Sequence, residues 1–127
     1  MRALDSNVLV RLITRDDPAQ VATAERFIEN GAWVSSVALA ETVWVLESVY
    51  DLRPSGIASA VEMLLNLEQV VLQDVEAVAC ALQIFRERPA LGFADCLLLE
   101  LARKSGHLPF GTFDRSLSKL SGAQKLH

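Results

Sequence analysis

Short apolar runs alternate with longer segments of helical spacing, and this alternation limits the fold more than any other feature of the chain. Val70-Val71-Leu72 is the clearest short run; Ala3-Leu4, Ala32-Trp33-Val34 and Leu108 to Thr112 resemble it. Each reads as a strand, with Ala3-Leu4 as the end of a short buried one. The segments between them carry helix punctuation. Asp5 or Ser6 caps a helix over Ser6 to Ile13. Asp17-Pro18 starts a second that runs to about Asn30-Gly31, with Val21, Ala24, Phe27 and Ile28 on one face. Further helices are expected over Val37 to Tyr50, Ile57 to Leu67, Val75 to Arg88 and Phe93 to Ser105, with a short last helix after Asp114 and an edge strand at Lys125-Leu126. Strands separated by helices imply an α/β class with a small, mainly parallel sheet flanked by helices. In such sheets the functional crevice lies beyond the carboxyl ends of the strands. Asp5 and Asp114 each follow a strand end.

The chain has 127 residues, which suits a single domain over 1–127. A hydrophobic fraction of 51% with a net charge of −4 excludes disorder. The same acidic balance argues against a protein that grips nucleic acid with a broad basic surface. It leaves a nuclease open, because divalent cations invert the sign of an acidic site. Cys80 and Cys96 lack metal or redox spacing and read as reduced core residues. No leader or membrane-spanning run is visible, so a soluble, cytoplasmic protein with no membrane partner is expected.

Among sixteen acidic residues, four lie in apolar surroundings: Asp5, Glu41, Asp95 and Asp114. Helical phase puts Glu41 with Val37, Ala38, Trp44 and Val45, and Asp95 with Leu98, Leu99 and Ala102. Glu100 pairs forward with Arg103 and Lys104 and reads as the wet face, so Glu100→Gln is expected to do almost nothing. A carboxylate among apolar side chains needs a donor, a cation or a metal. Hard oxygen ligands favour Mg²⁺ or Mn²⁺, and His107 and His127 are too few and too terminal to build a rival set. Plainer readings stand beside this one. Asp5 and Asp114 are also good helix caps, Glu41 and Asp95 also suit a first helical turn, and Thr112 also suits a strand. All four acids together, two at strand ends and two early in helices, favour a shared site.

These residues resemble the PIN-domain ribonucleases, specifically the VapC-type toxins of toxin–antitoxin pairs. Leu4-Asp5-Ser6-Asn7-Val8-Leu9 is similar to the first family motif, Ser36-Val37-Ala38-Leu39-Ala40-Glu41 to the second, Phe93-Ala94-Asp95-Cys96-Leu97 to the third, and Thr112-Phe113-Asp114-Arg115 to the fourth. Many relatives carry a further acid where this chain has Ser116. The resemblance implies a three-layer α/β/α sandwich and a Mg²⁺- or Mn²⁺-dependent endoribonuclease that leaves 5′-phosphate and 3′-hydroxyl ends. It assigns Asp5, Glu41, Asp95 and Asp114 to the catalytic cluster. Asp5, Asp95 and Asp114 would be metal ligands, and Glu41 would orient the attacking water. The hydroxyls of Ser6 and Thr112 would hydrogen-bond the carboxylates or the phosphate, and Asn7 would fix Asp5. It also implies an RNA substrate, a cognate antitoxin and a homodimer.

Arg11, Arg15, Arg103, Lys104, Arg115 and Lys119 are candidate phosphate contacts, with Arg115 and Arg11 retained as site residues; the plain reading is solvated charge. Trp33, Trp44 and Tyr50 are candidate interface aromatics, although Trp44 fits a core position better. The nearest rivals are a PIN nuclease of RNA processing and a catalytically silent RNA- or protein-binding module. A haloacid-dehalogenase-like phosphatase would need a second Asp where Asn7 stands.

Overall fold

The computed structural model describes residues 1–127, which form two compact units, 1–75 and 76–127. In the first unit, strands β1 (Arg2–Ala3), β2 (Ala32–Val34) and β3 (Val70–Leu72) make a parallel sheet in the order β1-β2-β3. Ala3 pairs with Trp33, and Trp33 with Val71. Helices α1 (Ser6–Thr14) and α2 (Pro18–Ile28) connect β1 to β2; α3 (Ser36–Ser48) and α4 (Pro54–Asn66) connect β2 to β3. Parallel neighbours need such crossovers.

Local chemistry sets these boundaries. The Asp17 side chain accepts from Gln20 N at 3.1 Å, and Pro18 opens α2 with a ring that needs no donor there. Ser35 Oγ accepts from Ala38 N at 3.0 Å and caps α3. Pro54 opens α4, three residues before the Ile57 at which that helix is expected to start. The second helix stops at Ile28, short of Asn30-Gly31; Gly31, at φ +97, makes the turn into β2.

The second unit holds most of α5 (Val75–Glu87), a 3-10 turn (Pro89–Leu91), α6 (Phe93–Lys104), strand β4 (Phe110–Thr112), a second 3-10 turn (Leu117–Lys119) and strand β5 (Ala123–Lys125). β4 and β5 pair in parallel, with Thr112 opposite Lys125. The chain is thus mixed α/β with every strand pair parallel, as expected, but the strands form two sheets where one was anticipated. The short last helix is only the 3-10 turn over Leu117–Lys119. No helix is long and apolar enough to cross a membrane.

Several burial expectations are corrected. Arg2 and Ala3 are exposed, and burial at the first strand begins with Leu4. Trp44 is 64% exposed, so it is not a core residue. Cys96 is buried but Cys80 is exposed. The buried face of α6 is Phe93, Cys96, Leu97, Leu99 and Glu100, while Leu98 faces solvent. Glu100 therefore does not lie on the wet face.

Candidate active site

In the first unit Asp5 stands one residue beyond Leu4, at the point where β1 hands over to α1. Its Oδ1 accepts from Ser6 N at 2.6 Å and from Ser6 Oγ at 3.2 Å. The cap and the proposed support by the Ser6 hydroxyl thus fall on the same carboxylate oxygen. A cap engages one carboxylate oxygen, so it is compatible with a ligand on the other. Asn7 is exposed and lines, with Asp5, a cleft of about 700 Å³ between α1 and α2.

Glu41 is exposed on α3, and its neighbours Val37 and Trp44 are exposed with it. The helix buries Ala38, Leu39, Thr42, Val43 and Leu46 instead. The face expected for Glu41 is thus split: Val37 and Trp44 look outward with it, whereas Ala38 is buried and Val45 half-buried. Burial does not force a partner on Glu41; only its place early in α3 commends it.

Arg11 sits in a network of its own. Its Nε donates to Gln20 Oε1 at 2.5 Å, and its Nη1 to Asp16 Oδ1 and Tyr50 Oη, each at 3.0 Å. Tyr50 Oη donates to Asp16 Oδ2 at 2.9 Å, and Thr14 Oγ1 donates to Asp16 Oδ1 at 2.8 Å. Hydroxyl donation from Thr14 and then Tyr50, aided by the Arg11 charge, holds the Asp16 carboxyl below its ordinary value. Tyr50 Oη, in turn, is the chief reason that the Arg11 pKa is raised. Tyr50 is an interface candidate by sequence. The structure engages its hydroxyl inside the unit.

In the second unit Asp95 lies in the first turn of α6 and is partly buried. Burial, and then the charge on Asp114, raise its carboxyl above the ordinary value. Gly92, at φ +80, precedes α6, and a Cβ placed there would lie 4.0 Å from Asp95 Oδ2. A glycine therefore leaves that flank of the carboxylate open.

Asp114 follows β4 and is exposed. Its Oδ1 accepts from Leu117 N at 2.9 Å, and its own N donates to Thr112 Oγ1 at 3.0 Å. The Thr112 hydroxyl thus supports Asp114 through the backbone, not through the carboxylate. Arg115 is exposed beside it.

Glu100 and Arg103 differ from the surface charges that their local pairing predicts. Glu100 is buried, and its Oε2 accepts from Arg103 Nε at 2.8 Å. Arg103 Nη2 also donates to the Ser121 carbonyl, so Arg103 is not a loose surface charge. The signal was present in the sequence: Glu100 lies three and four residues after Leu97 and Cys96, on the apolar stripe.

Within one unit, then, the structure brings Asp95 and Asp114 into electrostatic reach. No set of three or more His, Cys, Asp or Glu side chains closes to metal-holding distance. The donors at hand are nonetheless carboxylates, which suit a hard divalent cation. A cation beside Asp95 and Asp114 would offset the like-charge repulsion that adds to burial in raising the Asp95 carboxyl.

Comparison with curated proteins gives no match. The PIN domain family matches residues 2–123, a span that takes in all four acids. That match covers nearly the whole chain, and the chain belongs to the PIN-domain family, whose members are generally metal-dependent nucleases.

Proposed function

We propose that this protein is a Mg²⁺- or Mn²⁺-dependent endoribonuclease and the toxin of a VapC-type toxin–antitoxin pair. The observation that carries the reading is the Asp95–Asp114 pair, in which partial burial and then the charge on Asp114 raise the Asp95 carboxyl. Perturbed acids of this kind mark functional sites. The family match runs across both compact units, which supports treating residues 1–127 as one PIN domain.

Asp5, Asp95 and Asp114 would hold the cation. When bound, it supplies charge neutralisation at the scissile phosphate and a water acidic enough to attack near neutral pH. The chain's own residues do the rest. Glu41 orients the attacking water and takes its proton. Ser6 fixes the Asp5 carboxylate through its hydroxyl and amide. Asn7, beside Asp5 in the cleft, steadies the same group. Thr112 fixes the Asp114 turn. Arg115 meets RNA phosphate, and Arg11 does so only by giving up partners in its network. Attack by water leaves the 2′-hydroxyl idle, so the products carry 5′-phosphate and 3′-hydroxyl ends. A cognate antitoxin, a homodimer and a cytoplasmic location complete the proposal.

The test is cleavage of a mixed RNA pool by the purified protein, beside Asp95→Asn prepared in the same way. The expected result is cutting that needs Mg²⁺ or Mn²⁺ and falls by about 100-fold or more in the variant. Cutting that survives in the variant, or 2′,3′-cyclic phosphate ends, would overturn it.

A further inference from the structure

Glu100 is a carboxylate on the buried face of α6, and Arg103, one turn on, is its cationic partner. The pair does more than neutralise itself. Arg103 Nη2 reaches the Ser121 carbonyl, eighteen residues away in the chain. Its guanidinium lies against Gly122, where an added Cβ would come within 3.2 Å of Nη1 and 3.3 Å of Nη2. Gly122 holds φ +89, which side chains rarely adopt. The turn therefore calls for glycine twice over, once by conformation and once because Leu108 Cδ1 and the Arg103 guanidinium pack against it.

That turn leads straight to the site. Gly122 O accepts from Phe110 N at 2.8 Å, at the start of β4. β5 then runs beside β4, and Leu126 N donates to Thr112 O at 2.8 Å. Thr112 in turn holds the Asp114 amide. Every step from Arg103 to Asp114 is a hydrogen bond or a peptide bond. Asp95 sits at the other end of the helix that bears Arg103.

We infer that Arg103, oriented by buried Glu100, is a positioning residue that sets Asp114 against Asp95 by tying the Ser121–Gly122 turn to α6. The purpose of that alignment rests on the nuclease reading; the tie itself does not. Partners that orient a metal ligand from behind are typically worth 10–100-fold in metal affinity.

Removing Arg103 alone would leave Glu100 buried without its cation and would endanger the fold. The double variant Glu100→Gln/Arg103→Met removes both charges together. Arg103→Lys keeps the charge but replaces the planar fork with one ammonium. Amide hydrogen exchange on the full chain without metal is the first readout. In the double variant, protection at Phe110, Asp114 and Leu117 should fall about tenfold while α5 holds its own.

Mn²⁺ titration and RNA cleavage are the second. Half-saturation by Mn²⁺ should rise about tenfold with KM for RNA unchanged, and Arg103→Lys should recover part of it. A folded double variant with wild-type protection at those amides overturns the inference. So does wild-type Mn²⁺ half-saturation. A wild-type protein that cuts no RNA defeats the nuclease proposal alone, because the exchange readout still decides the tie.

Discussion

Asp95 and Asp114 reach each other from different elements, one in the first turn of α6 and one beyond the end of β4. Partial burial pushes the Asp95 carboxyl up, and the Asp114 charge pushes it further. The sign of the consequence is fixed. A carboxyl with a raised folded pKa takes its proton first in the folded chain, so folding is favoured as pH falls through that window and disfavoured above it.

Asp95→Asn should therefore raise Tm near neutral pH in the absence of divalent cations. The gain should shrink as pH falls through the carboxylate range, where the wild-type residue is neutral too. Thermal unfolding of both proteins along a pH series checks this, and a gain that does not vary with pH would count against it.

Asp114 has two separable roles. Its Oδ1 caps the turn at Leu117, and its charge acts on Asp95. Asp114→Ala should lose about 1 kcal/mol from the missing cap, whereas Asp114→Asn keeps an acceptor and should stay within about 0.5 kcal/mol of the parent. Both should lose cleavage. Urea unfolding of the two variants beside an RNA assay separates cap from charge.

Tyr50→Phe should make the first unit less sensitive to acid while making it less stable near neutral pH. Asp16 has a lowered folded pKa, from Thr14 first and Tyr50 next. Stability of that kind is present above the unfolded pKa and is lost as pH falls through the folded value. Without the tyrosine hydroxyl the depression is smaller, so stability should fall less steeply with acid. An unchanged slope in acid titrations followed by circular dichroism would show that Tyr50 is not part of the network.

The two cysteines should differ in reactivity. Burial first, then the charges of Asp95 and Glu100, push the Cys96 thiol up to about 11, while Cys80 is exposed. Since the thiolate is the nucleophile, a maleimide should label one thiol per native chain and two after denaturation. Mass spectrometry of labelled peptides identifies which; early labelling of Cys96 would contradict its burial.

Gly122→Ala should cost more than about 1 kcal/mol, because the new Cβ meets both a positive φ and a tight contact with Leu108 Cδ1 at 3.1 Å. Denaturant midpoints of the variant and the parent give the difference directly.

Capping residues were legible because they act over one turn. Asp17 before Pro18, Ser35 before α3 and Asp5 before α1 all bond to amides within three residues, and their side chains announce it. The helical faces were less so. α3 reads Val37-Ala38-Leu39-Ala40 and Val43-Trp44-Val45-Leu46, apolar almost all round, and its period does not choose a buried side. That is why Trp44, which fits a core position by sequence, and Glu41, expected on an apolar face, are both exposed. On α6 the local pairing of Glu100 with Arg103 was read as a surface ion pair. The pair exists, but burial changes what it does.

By itself the sequence determined the alternation of short strands with capped helices, the parallel class, and four acids at strand ends and helix starts. Each of these depends on neighbours a few residues apart, where side-chain type and backbone preference suffice. Tertiary structure alone decided that Asp114 raises Asp95, that Tyr50 joins Arg11 and Asp16, and that Arg103 reaches Ser121. Those contacts join residues separated by eighteen or more positions. Charge interaction and hydrogen bonding depend on distance in space, and folding sets that distance.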